Sequence, residues 1–544
     1  MEHDVIVVGA GSAGCVLAAR LSEDASRTVL LVEAGPVWDR AEDFPPEVLS
    51  ARSNAVAFPG HPDNWSFVGE LTDELSHPVP RGRLAGGSSS INGTYFVRGT
   101  RSDFDRWAAL GNPEWSYDKV LPSFVALESD TDFPDSPLHG ASGPVPVSRD
   151  RAALDDPVVA GFLAAARGLG FPERADLNGG GGDGVGLVPR NVRDGVRVNA
   201  ALSHLVPALG RSNLTVWGAA FVRRVVLQGG RAVGVEVDRD GVTRVVRGGE
   251  VILCAGSVKT PHLLLLSGVG PADELRSAGV EVAVDLPGVG RDFVDHPHLN
   301  VGFRPREPRP LPAGRAVIPA GLHFTASGSA TPGDLEIVVR MAPFGGMMVS
   351  TASGSHVRGA LRILGRPVRT ARSLGGVSPR RLYDEARHQG DLSLNVALQQ
   401  GESRGRITLR SLDPRALPVV RYHYLRSGAD VRRLREGVRV AVEILESPGM
   451  RPFVRRRTSP PARALASDAA LDAWMRTRLT SAIHLSSSCR MGPDPEGGAV
   501  VDQHCRVYGV GGLRIVDTSV MPYITSRGTA ATALMLGHHA ADLG

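Results

Sequence analysis

From Val5 to Val8 the chain runs through four consecutive β-branched residues, a pattern suited to a strand buried on both faces of a parallel sheet. Small residues follow at Gly9–Gly14, then a helical stretch from Cys15 to about Leu21, then a second apolar strand from Thr28 to Val32 that ends at Glu33. A long mixed segment runs to about Ser148, and the loop Gly179–Gly182 reads as a surface connection. Alternating strands are predicted at 214–218, 221–227 and 232–237, with another buried strand at 250–256. The texture changes near 300, where Arg304 to Arg315 is rich in Pro and Arg and marks a boundary or surface loop. Runs at 334–341 and 391–399 predict a second, antiparallel sheet, followed by a helix over 430–446 and a Pro/Arg loop at 451–463. The last eighty residues return to short strands and Gly turns, and no internal repeat is present.

Composition narrows the class without naming a site. With 544 residues, 42% of them hydrophobic and 22% charged, the chain has material for a large core. Basic and acidic residues nearly cancel, 61 against 57, which argues against nucleic acid as a partner. Cys15, Cys254, Cys489 and Cys505 are scattered without metal spacing, so they read as reduced and structural in a cytoplasmic enzyme. With the first strand beginning at about Asp4 no signal peptide is expected, and no apolar run approaches the ~18 residues of a transmembrane segment.

Candidate chemistry begins in the first turn. Gly9, Gly11 and Gly14 form G-x-G-x-x-G, with Ser12 opening the helix whose N-terminus faces negative charge. The first glycine permits the tight turn, the second lets backbone approach a pyrophosphate, and the third lets helix and strand pack closely. Glu33, nineteen residues beyond Gly14, ends the next strand, where an acid accepts hydrogen bonds from a ribose diol. These residues predict a dinucleotide site and do not separate FAD from NAD.

Two longer motifs make that separation. Gly82-Arg83-Leu84-Ala85-Gly86-Gly87-Ser88-Ser89-Ser90-Ile91-Asn92-Gly93, continuing to Trp107, closely resembles the first signature of the glucose–methanol–choline (GMC) oxidoreductases, departing at Ala85. Gly256 to Gly270 resembles the second signature throughout, Asp295-His296-Pro297 resembles the loop closing the family's N-terminal region, and the chain from Gly405-Arg406-Ile407 through Leu513 to Pro522 resembles its C-terminal lobe. The resemblance implies an α/β fold: a Rossmann-type FAD-binding domain, discontinuous in sequence, plus a substrate lobe with a mainly antiparallel sheet and helices. It divides the chain into 1–299, mostly FAD-binding; 300–480, the substrate lobe; and 481–544, returning to the FAD domain with the catalytic histidine. By the same resemblance Gly86, Gly87, Ser88, Asn92, Gly93, Val222, Ala255, Asp517 and Thr518 are expected at the cofactor. A plain tight turn capped by Asn92 is the bland reading of the glycine/serine loop. Some relatives link a histidine in that loop covalently to the flavin; the position here is Ile91, so noncovalent FAD is expected.

Oxidising an alcohol to a carbonyl requires a base for the O–H proton while hydride passes from carbon to flavin N5, and imidazole suits that task near neutral pH. By resemblance the base is His484, in His484-Leu485-Ser486-Ser487-Ser488-Cys489-Arg490-Met491-Gly492, where serines replace the usual Gly-Thr. Relatives place a second His or Asn shortly after the Met-Pro pair; counting from Pro522 gives Gly528, with Ala530 no substitute. Arg527, Ser486, Ser487 or a group from 300–390 are the replacements open to this chain. The stretch Ser526–Ala533 resembles a bacterial side branch that includes mycofactocin-associated dehydrogenases. The expected function is FAD-dependent oxidation of a small alcohol or sugar-like hydroxyl, with oxygen or another carrier as electron acceptor and no metal. The alternatives are a hydroxynitrile-lyase-like or other non-redox reaction, or a catalytically retired flavoprotein acting as a binding subunit.

Overall fold

A run of Val and Ile with no polar face needs cover on both sides, and His3–Val8 has it in the middle of a parallel sheet. One neighbour is Val29–Val32, flanked in turn by Leu214–Trp217; the other is the end of Val242–Leu253. Leu513–Ile515, from the far end of the chain, adds beside Val251–Leu253, also parallel. The discontinuity expected of the FAD-binding half is therefore a strand pairing. Phe221–Gln228 and Arg231–Arg239 pair antiparallel with one another and then with the first half of Val242–Leu253. The computed structural model describes residues 3–312, 314–342 and 390–543; residues 343–389 of the expected substrate lobe lie outside the described residues.

The helix Ser12–Leu21 starts directly at the glycine turn, three residues before the expected Cys15. Ala530–His539 packs across it so closely that a Cβ on Gly537 would stand 2.4 Å from Ala13 O. The strand expected over 250–256 stops at Leu253, because Gly256 takes φ +80° and opens the helix Gly256–Leu266.

The second sheet is wholly antiparallel, in the order Val454–Arg457, Pro297–Pro305, Leu392–Leu398, Leu335–Arg340, Ala320–Phe324, Gly184–Leu187. Val454–Arg457 falls inside the expected Pro/Arg loop. Its Val-Arg-Arg-Arg sequence carries no apolar alternation, and only edge pairing with Phe303–Pro305 makes it a strand. The helix Gly428–Glu446 lays Val431, Leu434, Val438, Ala441, Val442 and Leu445 on the sheet, a stripe at helical spacing. Ser427 caps it by accepting from the Ala429 amide at 3.1 Å.

A buried charge cluster ties together chain segments between Arg98 and Asp176. His139 bridges Glu128 (2.6 Å) and Asp176 (2.8 Å), while Arg149 bridges Asp130 (2.6 Å) and Asp176 (2.6 Å). Arg98 closes the group on Glu128. Burial pulls the His139 pKa down, but hydrogen bonds to Asp130, Asp176 and Glu128 outweigh it and lift it to about 10.

Candidate active site

The two halves meet at a cavity of about 1190 Å³. At one end its wall carries Gly9, Gly11, Ser12, Glu33, Gly87, Ser88, Asn92, Gly93, Val222, Ala255, Asp517 and Thr518. At the other it carries His484, Tyr95, Gly528 and the strand residue His298. The fold thus gathers residues predicted from seven separate segments onto one surface. Gly14 and Gly86 are the exceptions and do not face the cavity. A Cβ on Gly14 would lie 2.0 Å from Gly9 O, and one on Gly86 2.3 Å from Ser90 Oγ, so both serve close packing.

The wall at the first end suits a dinucleotide. Gly11 has an ordinary extended backbone, and a Cβ there would meet nothing closer than Cys254 O at 3.6 Å. The protein itself does not require glycine at this position, so the open side is room for a ligand. Gly93 and Gly256 have no atom at all within 4 Å of a built Cβ, although at Gly256 the φ of +80° calls for glycine in its own right. Glu33 accepts from the Ala10 amide at 2.9 Å and the Gly35 amide at 2.8 Å, which fixes its carboxylate at the strand end with acceptor capacity to spare. Burial pushes its pKa up, opposed by those two amides and by Arg83. Asp517 knits the segments together: Oδ2 accepts from the Gly256 amide (2.9 Å) and Thr260 Oγ1 (2.6 Å), and Oδ1 from the Ser519 amide (2.8 Å). Asn92 Oδ1 accepts from the Thr94 amide at 3.0 Å, so it caps its own turn as well as facing the cavity. Ile91 is buried on the same wall, an aliphatic with no atom able to bond a flavin.

At the other end Asp295 fixes the backbone of two histidines. Its Oδ1 accepts from the His296 and His484 amides, each at 2.7 Å, and its Oδ2 from Ser481 Oγ at 2.7 Å. The two imidazoles meet edge to face, Nδ1 to Nδ1, at 2.9 Å. Burial, with His296 beside it, lowers the His484 pKa to about 3, so the ring is neutral at physiological pH. Neither the sequence nor the family resemblance pointed to His296 as a partner of His484.

Gly528 sits between this histidine and Tyr95. A Cβ there would lie 3.0 Å from Tyr95 Cδ1 and 3.4 Å from His484 Cε1. The aromatic ring occupies the space a side chain at 528 would need. Tyr95 is held from behind: its hydroxyl donates to Glu336, lies 3.1 Å from His323 Nε2, and Gln399 supports Glu336 at 2.8 Å. Burial drives the Glu336 pKa up, yet His323, Tyr95 and Arg527 together bring it to about 2. Of the replacements open from sequence, Arg527, Ser486 and Ser487 do not reach the cavity, whereas the described part of 300–390 does, through Asn300 and Arg340. Arg527 is buried and donates to the Ser526 and Gly333 carbonyls, and Ser486 turns back onto His484 O at 2.7 Å. Ser487 Oγ is buried without a hydrogen-bond partner away from the cavity wall.

A discontinuous Rossmann-type half, an antiparallel lobe and a buried histidine at their junction are the organisation of a flavin-dependent oxidoreductase. Comparison with known proteins makes the class definite: the GMC oxidoreductase profiles match residues 3–298 and 401–537, and the chain belongs to that family of FAD-dependent enzymes. It is 38% identical over 540 residues to an uncharacterised GMC-type oxidoreductase of Rhodococcus erythropolis, covering 99% of this chain and 98% of the relative. It is 34% identical over 554 residues to an oxygen-dependent choline dehydrogenase of Rhizobium etli, covering 100% and 95%. Among solved structures, pyridoxine 4-oxidase from Mesorbium loti superposes with a TM-score of 0.86 at 28% identity over 99% of both chains. Formate oxidase, at a TM-score of 0.84 and 23% identity over 100% and 98%, shares the fold. Among the described residues no helix is long and apolar enough to cross a membrane.

Proposed function

We propose that this protein oxidises the hydroxyl of a small alcohol or sugar-like substrate to a carbonyl, with His484 as the base. The observation that carries the reading is a neutral imidazole on the wall of the cavity that also bears the dinucleotide turn. Its Nδ1 is engaged by His296, and no hydrogen bond among the described residues engages its Nε2, which is therefore the atom that takes the substrate proton. FAD, held noncovalently by Gly11, Ser12, Glu33, Gly87, Ser88, Asn92, Val222 and Asp517, supplies the hydride acceptor. The low-dielectric setting keeps His484 neutral and ready to accept, while Asp295 fixes where it stands. Gly528 leaves the substrate oxygen without a second side-chain donor from that position, so a single base removes the proton. Four buried, unpaired cysteines support a reducing, cytoplasmic setting.

Anaerobic mixing of the holoenzyme with choline, pyridoxine, primary alcohols and glycosides tests the reading. Bleaching of the flavin by one of them, slowed about 10²–10⁴-fold in His484→Ala with its FAD spectrum intact, is the expected result. An oxidised spectrum across the whole panel favours non-redox chemistry or a binding role. Admitting oxygen or an artificial acceptor afterwards identifies the route by which electrons leave.

A further inference from the structure

The Asp-His-Pro motif enters the sequence only as a family mark, yet both of its polar side chains act on His484. Asp295 holds the His484 backbone by accepting its amide. His296 meets its ring at 2.9 Å, and the protonation of that contact follows from the far side of His296. His296 Nε2 lies 3.1 Å from the Thr525 carbonyl, which can only accept, so Nε2 carries the hydrogen. A neutral imidazole with its proton on Nε2 has a lone pair on Nδ1. The Nδ1–Nδ1 contact is a hydrogen bond only if His484 is the donor, and the His484 proton therefore sits on Nδ1.

We propose that His296 is a positioning residue: anchored on the Thr525 carbonyl, it accepts the Nδ1–H of His484 and so keeps the lone pair on His484 Nε2, facing the cavity. The inference rests on His484 being the base. It adds that the base works in one tautomer only and that its orienting partner is a neutral acceptor rather than a carboxylate. When Nε2 takes the substrate proton, the Nδ1–H remains on its acceptor, and that bond becomes charge-assisted as the imidazolium forms. Burial suits this arrangement, since apart from His484 Nε2 the two rings, the Asp295 carboxylate and the Thr525 carbonyl are already paired internally. The Pro297 that follows starts the strand Pro297–Pro305, so the motif is pinned to the sheet immediately beyond the ring.

The test uses holoenzyme and the alcohol that bleaches the flavin fastest. His296→Leu removes the acceptor while retaining bulk. His296→Asn places an amide oxygen near the position of the lost Nδ1 lone pair. The expected result for His296→Leu is a fall in kcat of about 10–10²-fold with KM and FAD content held, smaller than the ~10⁴ seen when a carboxylate orienter is neutralised. His296→Asn is expected to recover to within about threefold of the parent, because one acceptor replaces another. His296→Leu as fast as the parent, while His484→Ala is slow, overturns the inference and leaves the base in place. His296→Asn as slow as His296→Leu with FAD retained also overturns it, because supplying an acceptor then restores nothing. If His296→Leu does not fold, the folded His296→Asn decides alone: near-parent kcat supports the inference, and a His484→Ala-like rate overturns it. His484→Ala as fast as the parent is the separate outcome that removes the base reading itself.

Discussion

Gly11→Val separates a ligand requirement from a folding requirement more cleanly than any other change in the dinucleotide turn. Gly9 is needed for its φ of +103°, and Gly14 because a Cβ there would lie 2.0 Å from Gly9 O. Gly11 has neither constraint: φ is −79° and the nearest atom to a built Cβ is 3.6 Å away. Valine there should leave the apoprotein's thermal unfolding near that of the parent while its methyls stand where a pyrophosphate meets the backbone. Losing about two charge-assisted hydrogen bonds at about 1.5–3 kcal/mol each amounts to roughly 3–6 kcal/mol. That corresponds to a rise in FAD Kd of about 10²–10⁴-fold. Titration of apoprotein with FAD, followed by flavin fluorescence, reads the affinity, and a thermal melt without FAD reads the fold. Parent-like affinity in Gly11→Val would refute the placement of the dinucleotide. An apoprotein that no longer folds would show that the open side is a structural need after all.

Other changes have equally definite outcomes. Acid precipitation of the purified protein should release intact FAD into the supernatant, since Ile91 offers no bonding atom; flavin retained in the pellet contradicts this. Gly528→Asn must displace the Tyr95 ring, 3.0 Å from the new Cβ, and should cost about 1–3 kcal/mol in a denaturant melt, a cost that Tyr95→Ala in the same chain should relieve. Arg149→Met leaves Asp130 and Asp176 short of their counter-charge and should destabilise by about 3–5 kcal/mol. The His139 pKa is raised on folding from 6.5 to about 10, so its contribution is full below the unfolded value and is lost as pH climbs through that window. Stability measured from pH 7 to 10 should therefore fall more steeply in the parent than in His139→Gln; parallel curves would contradict the assignment.

The periodic elements were legible because their patterns were local. Val5–Val8, the alternation near 221–239 and the apolar stripe of 430–446 all fold as strands and helix within a few residues of expectation. What escaped were features decided by distant partners. Val454–Arg457 has no apolar alternation and is a strand only because Phe303–Pro305 lies beside it. His296 and His484 are separated by 188 positions, and nothing in either neighbourhood encodes that their rings meet. Tyr95 lies just beyond the glycine/serine loop with no sequence mark of a role, yet it fills the space left by the glycine at 528. Sequence located the missing side chain; only the fold shows that an aromatic ring had taken its room.

The parallel pairing of Leu513–Ile515 with Val251–Leu253 also sets a timetable for biosynthesis. On the ribosome the edge of Val251–Leu253 emerges some 260 residues before its partner, an interval of roughly 15–50 s at about 5–20 residues per second. Throughout that time the central sheet has an open edge of apolar backbone, the feature that recruits chaperones or unwanted strands from other chains. A chain terminated before Leu513 lacks the closing strand, the Asp517 tie to Gly256 and Thr260, and the helix Ala530–His539 that covers Ser12–Leu21. Late truncations should therefore disable the cofactor site at the opposite end of the sequence and send the nascent protein to degradation.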